Sequence, residues 1–393
     1  MRLLAALVLL PALSAQIKIT WGFEGGNLGR VETVSASHAR AHLAGETDQD
    51  GRNRQANWYY FQVDAPPNQP LLIDLVSLPG EYNYKPNRGA VTADTPPVLS
   101  FDNRTWTHVE SFDYDPAEPR MRLRITPKTG RFWIAHTPPY TNAHLASLRQ
   151  WAGSRLQEET IGKTVDGRPL VLWTIGNGPQ TVWLFFRQHS WESGSSWVGE
   201  GLVRHLLSGD GAALRKQLTW KIYPLCDPDG VARGGVRFNK FGFDLNRNWD
   251  VNGVEKMPEI TAQRAAIRRW LDAGHSVDFL LSLHNTETAE YLEGPPEKGG
   301  KFAPLAEKAF GLLETETSFA PTRKLFYAET TTTANMPGRM NVSQGLYRDF
   351  GLPAFIMEQR VSLQPKYGRK PLIADRLRFG RELAVTIGRT LAP

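Results

Sequence analysis

The stretch TVWLFFRQHSWESGSSW, residues 181–197, indicates the fold of the second half of the chain. Its first six residues predict a buried β-strand, and a helix is predicted from about Ser196 to Leu207. Between them, His189 and Glu192 stand three residues apart where the strand ends. A glutamate gains little from a neutral imidazole, but the two side chains together can hold a divalent metal ion. The stretch therefore predicts a strand that leads into a metal-binding loop.

Apolar strands and amphipathic helices alternate on both sides of this stretch. The predicted strands include LTWKIYPL, VDFLLSLH and PAFIMEQR, and a hairpin is predicted around Asp166 and Gly167. Further helices are predicted at about 141–151, 259–271, 303–314 and 372–391. This alternation is typical of an α/β domain whose mixed, mostly parallel sheet is flanked by helices.

Polar residues follow four of these strands at their carboxyl ends: His189 with Glu192, Asp227, His284 and Glu358. Because binding sites in open α/β sheets form at that edge, we expect these side chains to meet. Two imidazoles and one carboxylate, with a fourth position left for water, are typical of a catalytic zinc site. Zinc would activate the bound water, and a further carboxylate, with Glu358 as the candidate, would act as general base. A histidine-glutamate pair alone is a weak signal, since a loop salt bridge gives the same spacing.

A glycine-rich stretch, DPDGVARGGVRFNKFGFDLNRNWD, separates the strand LTWKIYPL from VDFLLSLH. Asn246 and Arg247 are adjacent in it, and a guanidinium beside an amide can grip a carboxylate through paired hydrogen bonds. Arg237, earlier in the stretch, could stabilise an oxyanion. The alternative, which the residues leave open, is that these arginines form ordinary salt bridges with Asp244 or Asp250.

The residues before the α/β region have a different pattern. Short alternating runs such as WYYFQVDA and RMRLRITP are separated by clusters of Pro, Gly, Asn and Asp. Short strands with turns between them predict an antiparallel β-sandwich domain over residues 16–139. Pro138 and Pro139 end that region, and a catalytic domain is expected over residues 140–393. A chain of 393 residues is long enough for two such domains.

The first residues, MRLLAALVLLPALSAQ, combine a basic residue, an apolar stretch and small residues. This pattern predicts a secretory signal peptide over residues 1–15, and therefore a secreted or periplasmic protein. The apolar stretch is shorter than the roughly 20 residues of a membrane anchor, so no stable membrane span is expected after removal of the leader. The single cysteine, Cys226, excludes an internal disulfide.

Composition and charge exclude several other classes of protein. Hydrophobic residues make up 41% and charged residues 22% of the chain, as in folded soluble proteins. The net charge of +6 is not concentrated in runs of like charge, which argues against nucleic-acid binding. Neither composition nor charge indicates an oligomeric state, which the sequence leaves unknown.

The order of the motifs resembles that of a known family. The strings IGKTVDGRPLVLWTIG, RQHSWE, DPDGV, FDLNRNW, LLSLHN and AFIMEQ resemble the zinc metallocarboxypeptidases, and among them the cytosolic carboxypeptidase branch. The resemblance extends from about Thr141 to Arg360, and the upstream β region is also similar to that branch. It implies a carboxypeptidase-like fold, one zinc ion per chain, and hydrolysis of the C-terminal peptide bond of peptides or proteins.

The resemblance also implies a role for individual residues. Seven residues are expected to form the site: zinc ligands His189, Glu192 and His284; oxyanion stabiliser Arg237; carboxylate-binding Asn246 and Arg247; and general base Glu358. Trp191, Asp227 and Asn285 depart from the family pattern, and the family's substrate-closing tyrosine has no assigned counterpart.

The polar segment YAETTTTANMPGRMNVSQG, residues 327–345, precedes the strand that carries Glu358. We interpret it as one wall of the specificity pocket, where Arg339 or Arg348 would receive an acidic side chain; a solvated loop is the alternative. Release of acidic C-terminal residues is therefore expected. Two other functions remain open, namely hydrolysis of peptidoglycan stem peptides by an exported enzyme and catalytically silent binding of peptides or glycans. The combined presence of ligands, base and carboxylate-binding pair favours an enzyme.

Overall fold

The structure is a computed structural model, and it describes residues 16–51, 53–82, 85–251, 255–331 and 336–392. The predicted signal peptide, residues 1–15, lies outside the described residues. The described chain forms a β unit, followed by an α/β unit that contains the main sheet and all the α-helices.

The β unit is built from short strands. They are β1 (Lys18–Thr20), β2 (Arg30–Ser35), β3 (His38–His42), β4 (Glu46–Thr47), β5 (Arg54–Gln55), β6 (Tyr60–Asp64), β7 (Leu71–Val76), β8 (Gly80–Tyr82), β9 (Lys85–Asn87), β10 (Val98–Ser100), β11 (Thr107–His108), β12 (Phe112–Asp115), β13 (Arg120–Ile125) and β14 (Arg131–Ala135). Two five-stranded sheets have the orders β1-β6-β14-β10-β11 and β12-β13-β7-β3-β2, and β4-β5-β8-β9 form a smaller sheet.

Side-chain alternation along the strands builds the core of the β unit. Alternate residues of β6 and β7, such as Phe61 and Ile73, belong to one buried apolar cluster that the two five-stranded sheets share. β3 pairs with β7 in parallel, and strands β4, β5 and β6 lie between them in the chain. The prediction of a region rich in antiparallel strands is confirmed, whereas this parallel pair is not anticipated by the sequence pattern.

Among the described residues, the α/β unit contains eight strands and eight α-helices. The strands are β15 (Gln157–Lys163), β16 (Pro169–Ile175), β17 (Gln180–Phe186), β18 (Leu218–Tyr223), β19 (Phe279–Thr286), β20 (Tyr291–Gly294), β21 (Phe326–Tyr327) and β22 (Ala354–Arg360). The helices are α1 (Asn142–Ala152), α2 (Ser193–Leu206), α3 (Ala212–Gln217), α4 (Pro228–Arg233), α5 (Pro258–Asp272), α6 (Ala303–Glu316), α7 (Val342–Phe350) and α8 (Ile373–Leu391).

All eight strands of this unit form one sheet, ordered β15-β16-β18-β17-β19-β22-β20-β21. The central strands β18, β17, β19 and β22 are parallel, and antiparallel pairs flank them. Strand β17 is buried on both faces: Leu184 packs in the core that includes residues of α2 and α8, and Phe185 packs in the core that includes residues of α5 and α7. The predicted mixed, mostly parallel sheet flanked by helices is therefore confirmed.

Helices α1, α2, α5, α6 and α8 lie where the sequence predicts them, while α3, α4 and α7 are additional. Helix α2 begins at Ser193, earlier than predicted, so that Glu192 is its N-cap residue. Asp227 caps the additional helix α4, because its Oδ1 accepts a hydrogen bond from Gly230 N at 2.8 Å. The expectation that Asp227 meets the other strand-end residues therefore holds only in part: Asp227 does not line the cavity described below, but its Oδ2 accepts a hydrogen bond at 2.9 Å from Ser190 Oγ, between His189 and Glu192.

Candidate active site

A cavity of about 560 Å³ opens at the carboxyl ends of the central strands. Six of the seven predicted site residues line it: His189, Glu192, Arg237, Asn246, Arg247 and Glu358. The seventh, His284, is fully buried and contacts Glu192. The β unit also contributes to the lining, with Gln55, Asn57, Tyr82 and Asn87. The fold thus brings together residues that lie far apart in the chain.

Sheet register places two of these residues side by side. His284 of β19 and Glu358 of β22 are paired positions on adjacent parallel strands. On the other side of β19, strand β17 pairs with it as far as Phe186 and then ends. The three strands therefore deliver their following residues to the same edge of the sheet, as expected for parallel strands.

A buried arginine shapes the loop that follows β17. Arg187 adopts a φ of 65°, and this left-handed conformation turns the chain out of the sheet. Its side chain donates from Nε to Ser190 O at 2.8 Å and from Nη1 to Ser196 Oγ at 3.2 Å. Burial lowers the pKa of Arg187 to about 9. Arg187 thus fixes the loop that carries His189 and Glu192, a role that no sequence motif announces.

His189, Glu192 and His284 form a compact buried cluster. Nδ1 of His189 lies 2.7 Å from Oε1 of Glu192, and Nδ1 of His284 lies 2.9 Å from Oε2 of the same carboxylate. One potential ligand atom from each residue lies within 4.8 Å of the others. Two imidazoles and a carboxylate are a donor set of catalytic zinc sites, which keep one further position open. The cluster therefore fits one zinc ion.

In each of the two histidines, the second ring nitrogen, Nε2, contacts a polar group of the surrounding protein. Nε2 of His189 lies 3.0 Å from Oδ1 of Asp244. Nε2 of His284 lies 2.9 Å from Oγ of Ser282 and 3.1 Å from Oε1 of Gln188. Metal-binding histidines commonly donate their second N–H to such groups, which orients the ring. In both residues Nδ1 is consequently the atom that would face a metal ion.

The two glutamates of the site have opposite electrostatic environments. Burial alone would raise the pKa of Glu192, but His189 and His284 outweigh this effect and lower it to about 2. Burial raises the pKa of Glu358 well above its usual value, and the nearby Glu192 carboxylate raises it further. Oε2 of Glu358 is buried and has no hydrogen-bond partner among the described residues. Glu192 is therefore a carboxylate held by its neighbours, whereas Glu358 retains an oxygen that can accept a proton.

Arg237 and Arg247 both line the cavity but have different partners. Nε of Arg237 donates to Oδ2 of Asp244 at 2.7 Å, so one of the salt bridges that the sequence left open is present. In Arg247, Nη1 donates to Asn246 O at 2.7 Å and Nη2 lies 3.4 Å from the hydroxyl of Tyr82. Nε of Arg247 is buried without an acceptor in the part of the chain that the structure describes. Because such a donor is costly, it suits a site that receives a carboxylate.

Asn246 makes internal contacts. Its Oδ1 accepts a hydrogen bond from Val342 N at 3.0 Å, and its Nδ2 lies 3.3 Å from Nε2 of His284. Only 4% of the residue is exposed. Asn246 thus holds the first residue of α7 and lies beside one of the histidines, and its predicted share in binding a substrate carboxylate stays a prediction.

The predicted specificity wall is present in part. Arg339 lines the cavity. Arg348 does not; it lies in α7, and its Nε donates to Oδ1 of Asp349 at 2.6 Å. The interpretation of Arg348 as a contact for an acidic side chain is therefore wrong, because the helix directs it to a neighbouring carboxylate.

The sequence motifs missed several of the residues that line the cavity, among them Tyr291 and Arg323. Tyr291 of β20 is the register partner of Glu358 and lines the cavity. The guanidinium of Arg323 lies 3.7 Å from the centre of the Tyr291 ring and 4.0 Å from that of Phe326. Contact with the aromatic faces holds the guanidinium of Arg323 in place and leaves its positive charge unneutralised. In the sequence, Tyr291 could have been noticed as a tyrosine soon after the strand that carries His284. Arg323 gave no such signal, because it lies in a polar stretch without periodicity.

Two family models match the chain. Residues 141–292 match the zinc carboxypeptidase model, and residues 19–136 match the model of the cytosolic carboxypeptidase N-terminal domain. Both matches fall in the units described above. The first match contains the three predicted zinc ligands, and the second identifies the type of N-terminal domain that precedes them.

Relatives and solved structures agree with these matches. An uncharacterized protein of Zymomonas mobilis is 29% identical over 291 residues, which cover 72% of each chain. Cytosolic carboxypeptidase 6 of Caenorhabditis elegans is 28% identical over 63% of this chain and 57% of its own length, and the human protein is 26% identical over 68% and 56%. The chain thus matches only slightly more than half the length of these animal relatives.

A metallo-carboxypeptidase structure from Burkholderia cenocepacia has the same fold, with a TM-score of 0.79 and 19% identity over 96% of this chain and 99% of that one. None of the helices in the described ranges combines the length and apolar character that a membrane crossing requires. The chain thus contains a zinc carboxypeptidase domain preceded by a cytosolic carboxypeptidase N-terminal domain, and its fold and its histidine-glutamate-histidine cluster agree with these matches.

Proposed function

We propose that the protein removes C-terminal residues from peptides or proteins by zinc-dependent hydrolysis. One observation carries the proposal: the His189–Glu192–His284 cluster belongs to one site with Oε2 of Glu358 and Nε of Arg247, which have no hydrogen-bond partner among the described residues. The first can hold the metal, the second can accept a proton, and the third can bind a carboxylate. These three capacities together are what cleavage next to a free C-terminus needs.

Bound zinc would supply a Lewis acid and a water of lowered pKa. Glu358 would take the proton from that water and give it to the departing amine, which is general-base and then general-acid catalysis. Its burial suits this task, because the raised pKa makes its carboxylate a stronger base than an exposed one. Arg237, held by Asp244, would stabilise negative charge that develops on the carbonyl oxygen.

The carboxylate at the end of the substrate would bind to Arg247, with Asn246 beside it. A charge-assisted hydrogen bond to the buried Nε would give this donor an acceptor, which it does not find among the described residues. The peptide bond next to that carboxylate would then lie near Glu358, which lines the same cavity. This arrangement would restrict cleavage to the last residue.

The side chain of that last residue would face a basic wall. Arg339 and Arg323 both line the cavity, and Arg323 lies over two aromatic rings. Two guanidinium groups favour an acidic substrate side chain by Coulomb attraction. We therefore extend the proposal to a preference for C-terminal glutamate or aspartate over leucine or phenylalanine.

A peptide set tests both parts of the proposal on the zinc-loaded protein. Each peptide is supplied with a free and an amidated C-terminus, and the last residue is glutamate, leucine or phenylalanine. We expect free acids to react about 10- to 150-fold faster than amides, with glutamate fastest, because amidation removes a charge-assisted contact worth about 1.5–3 kcal/mol. Equal turnover of free and amidated peptides would contradict the C-terminal specificity, and faster release of leucine would contradict the basic wall.

The same assay separates the two other functions that the sequence left open. Cleavage of peptidoglycan stem peptides but not of the ordinary peptides would indicate the exported hydrolase. Binding of peptides without any turnover at full zinc occupancy would indicate a silent binding protein.

Export is a separate proposal, which the leader sequence supports. N-terminal sequencing of the mature protein should find a first residue near Gln16.

A further inference from the structure

The small sheet β4-β5-β8-β9 of the β unit lies against the loop that carries Arg237. Gln55, Tyr82 and Asn87 from its strands line the cavity. Gln49 N, which follows β4, donates to Gly242 O at 3.0 Å, and Asn57 Nδ2 donates to Glu287 Oε1 at 2.9 Å. The cavity is therefore closed on one side by a domain that supplies none of the predicted catalytic groups.

Glu46 of β4 binds the backbone of the Arg237 loop. Its Oε2 accepts hydrogen bonds from three consecutive amides, Val236 N at 3.1 Å, Arg237 N at 2.5 Å and Phe238 N at 2.7 Å. Its Oε1 accepts a hydrogen bond from Nη2 of Arg233 at 2.8 Å. A carboxylate that accepts several charge-assisted hydrogen bonds fixes the backbone geometry strongly.

The same loop is joined to the metal-binding loop. Val236 O accepts a hydrogen bond from Trp191 N at 2.9 Å, and Trp191 lies between the predicted ligands His189 and Glu192. Glu46 therefore holds a loop with two connections to the site, one through the side chain of Arg237 and one through Trp191.

Tyr82 of β8 contacts the side chains of Arg237 and Arg247, two of the arginines that line the cavity. Its hydroxyl lies 3.4 Å from Nη2 of Arg247, and its ring centre lies 5.3 Å from the Cζ atom of Arg237. A guanidinium over an aromatic ring is attracted to the face of the ring. Tyr82 thus supports the two arginines in different ways, through its hydroxyl and through its ring.

We propose that Glu46 and Tyr82 are positioning residues of the active site, so that the β unit is a working part of the catalytic machinery. Glu46 acts through the backbone of Arg237, and Tyr82 acts mainly through the guanidinium of Arg247. This inference rests on the proposed function, in which Arg237 stabilises the transition state and Arg247 binds the substrate carboxylate. Loss of Glu46 should therefore lower kcat, and loss of the Tyr82 hydroxyl should raise KM.

The test of Glu46 compares Glu46→Gln with Thr47→Ala, a change at the exposed neighbour in the same strand. Glutamine keeps the shape but replaces one accepting oxygen by a donor. A displacement of about 1 Å in a catalytic group can cost 10²-fold in rate, so we expect kcat to fall at least about 10-fold with KM nearly unchanged. Zinc content and melting temperature should stay close to those of Thr47→Ala. A kcat equal to that of Thr47→Ala, or a fall that follows loss of zinc, would overturn the role of Glu46.

Hydrogen exchange tests the contact between Glu46 and the Arg237 loop without an activity assay. In Glu46→Ala we expect faster exchange of the amides of residues 236–238, with little change in the strands of the main sheet. Unchanged exchange there would overturn the anchoring by Glu46. This measurement separates the inference from the proposed function, because a wild-type protein without peptidase activity would still show the local effect.

The test of Tyr82 compares Tyr82→Phe with Tyr114→Phe, a tyrosine of the β unit that does not line the cavity. Phenylalanine keeps the ring beside Arg237 and removes the hydroxyl beside Arg247. We expect KM for free-acid peptides to rise several-fold while the binding of amidated peptides, followed by calorimetry, stays unchanged. The same KM as in Tyr114→Phe, or equal weakening for acids and amides, would overturn the role of Tyr82. Equal binding of acids and amides by the wild type would instead count against the proposed function.

Discussion

Glu192 and Glu358 carry the same functional group in one cavity but have different neighbours. Both oxygens of Glu192 face imidazole nitrogens, whereas Oε2 of Glu358 has no partner among the described residues. The first arrangement favours the ionised form and the second disfavours it. Pairs of carboxylates whose pKa values are driven apart commonly have separate chemical roles.

Replacing Glu358 by glutamine tests the role of this residue as a base. Glutamine has nearly the same shape but accepts no proton at neutral pH, so metal and substrate should still bind. We expect kcat to fall by about 10² to 10⁴, the usual contribution of general-base catalysis, with KM little changed. The measurement is steady-state kinetics on protein of known zinc content.

The alternative is a structural role for Glu358 at the end of the sheet. The nearby cation Arg360 is already paired, because its Nε donates to Oε2 of Glu290 at 3.0 Å. The glutamine variant should consequently keep or exceed the wild-type melting temperature, since a buried carboxyl group with a raised pKa is replaced by a neutral amide. Near-normal kcat with a lowered melting temperature would reverse this assignment.

At the scale of elements, helices α2 and α8 pack against each other at two glycines. A Cβ atom built on Gly380 would lie 2.1 Å from Val198 O, and one built on Gly201 would lie 2.1 Å from Leu377 O. Both contacts are with backbone oxygens, which cannot swing away like a flexible side chain. Since α2 begins directly after Glu192, the position of α8 supports the metal-binding loop from behind.

The close packing predicts the effect of alanine at Gly380. The added methyl group must push the two helices apart, which should lower the free energy of unfolding by about 1–3 kcal/mol or more. Gly311 of α6 provides the control, because a Cβ atom there would meet no other atom within 4 Å. Gly311→Ala should stabilise the protein by about 0.5–1 kcal/mol through helix propensity. Denaturant unfolding of both variants checks the prediction, and equal effects would contradict it.

Long helices with a clear period were predictable, whereas the short helix that follows a polar segment was not. Helices α5 and α8 have amphipathic periodicity and were located from it. Helix α7 follows a polar segment, and it begins because the Asn341 side chain accepts a hydrogen bond from Gln344 N at 2.9 Å. The sequence does carry this cap signature, an asparagine followed three positions later by a glutamine, but the polar run before it makes the segment look like a loop.

At the scale of the whole molecule, the sequence located the site but not the contacts between the units. His189, His284 and Glu358 could be found because each follows an apolar strand, and parallel strands end at one edge. Glu46 and Arg237 are separated by 191 positions, and Tyr82 and Arg247 by 165. No local pattern connects such pairs, since their meeting depends on how the β unit packs on the α/β unit.

Another contact between the units involves a buried lysine. Lys370 precedes α8 and donates from Nζ to Pro96 O of the β unit, and only 7% of the residue is exposed. Burial and the nearby Arg376 lower its pKa from 10.5 to about 7. The folded protein therefore disfavours the charged form of this lysine, which the unfolded chain keeps up to a much higher pH.

The sign of the resulting pH dependence follows from proton uptake. Between about pH 7 and 10.5, the unfolded chain binds a proton at Lys370 that the folded protein has released, so the free energy of unfolding rises with pH in this window. Below pH 7 both states are protonated, and the full cost of burying the charge remains. Lys370→Met removes this cost. Relative to the wild type, the variant should be most stable near pH 6 and should lose that advantage, a few kcal/mol at most, as pH approaches 10.

Thermal unfolding of both proteins between pH 6 and 10 tests this prediction. Loss of the hydrogen bond to Pro96 O changes the stability of the variant by an amount independent of pH. The prediction is therefore tested by how the stability difference between variant and wild type changes with pH, and not by its constant part. Lys324→Met, at an exposed lysine, is the matched control and should show a constant difference from the wild type. A constant difference for Lys370→Met as well would mean that its ammonium group stays charged in the folded protein. The contact between the two units would then be a charged one throughout this pH range.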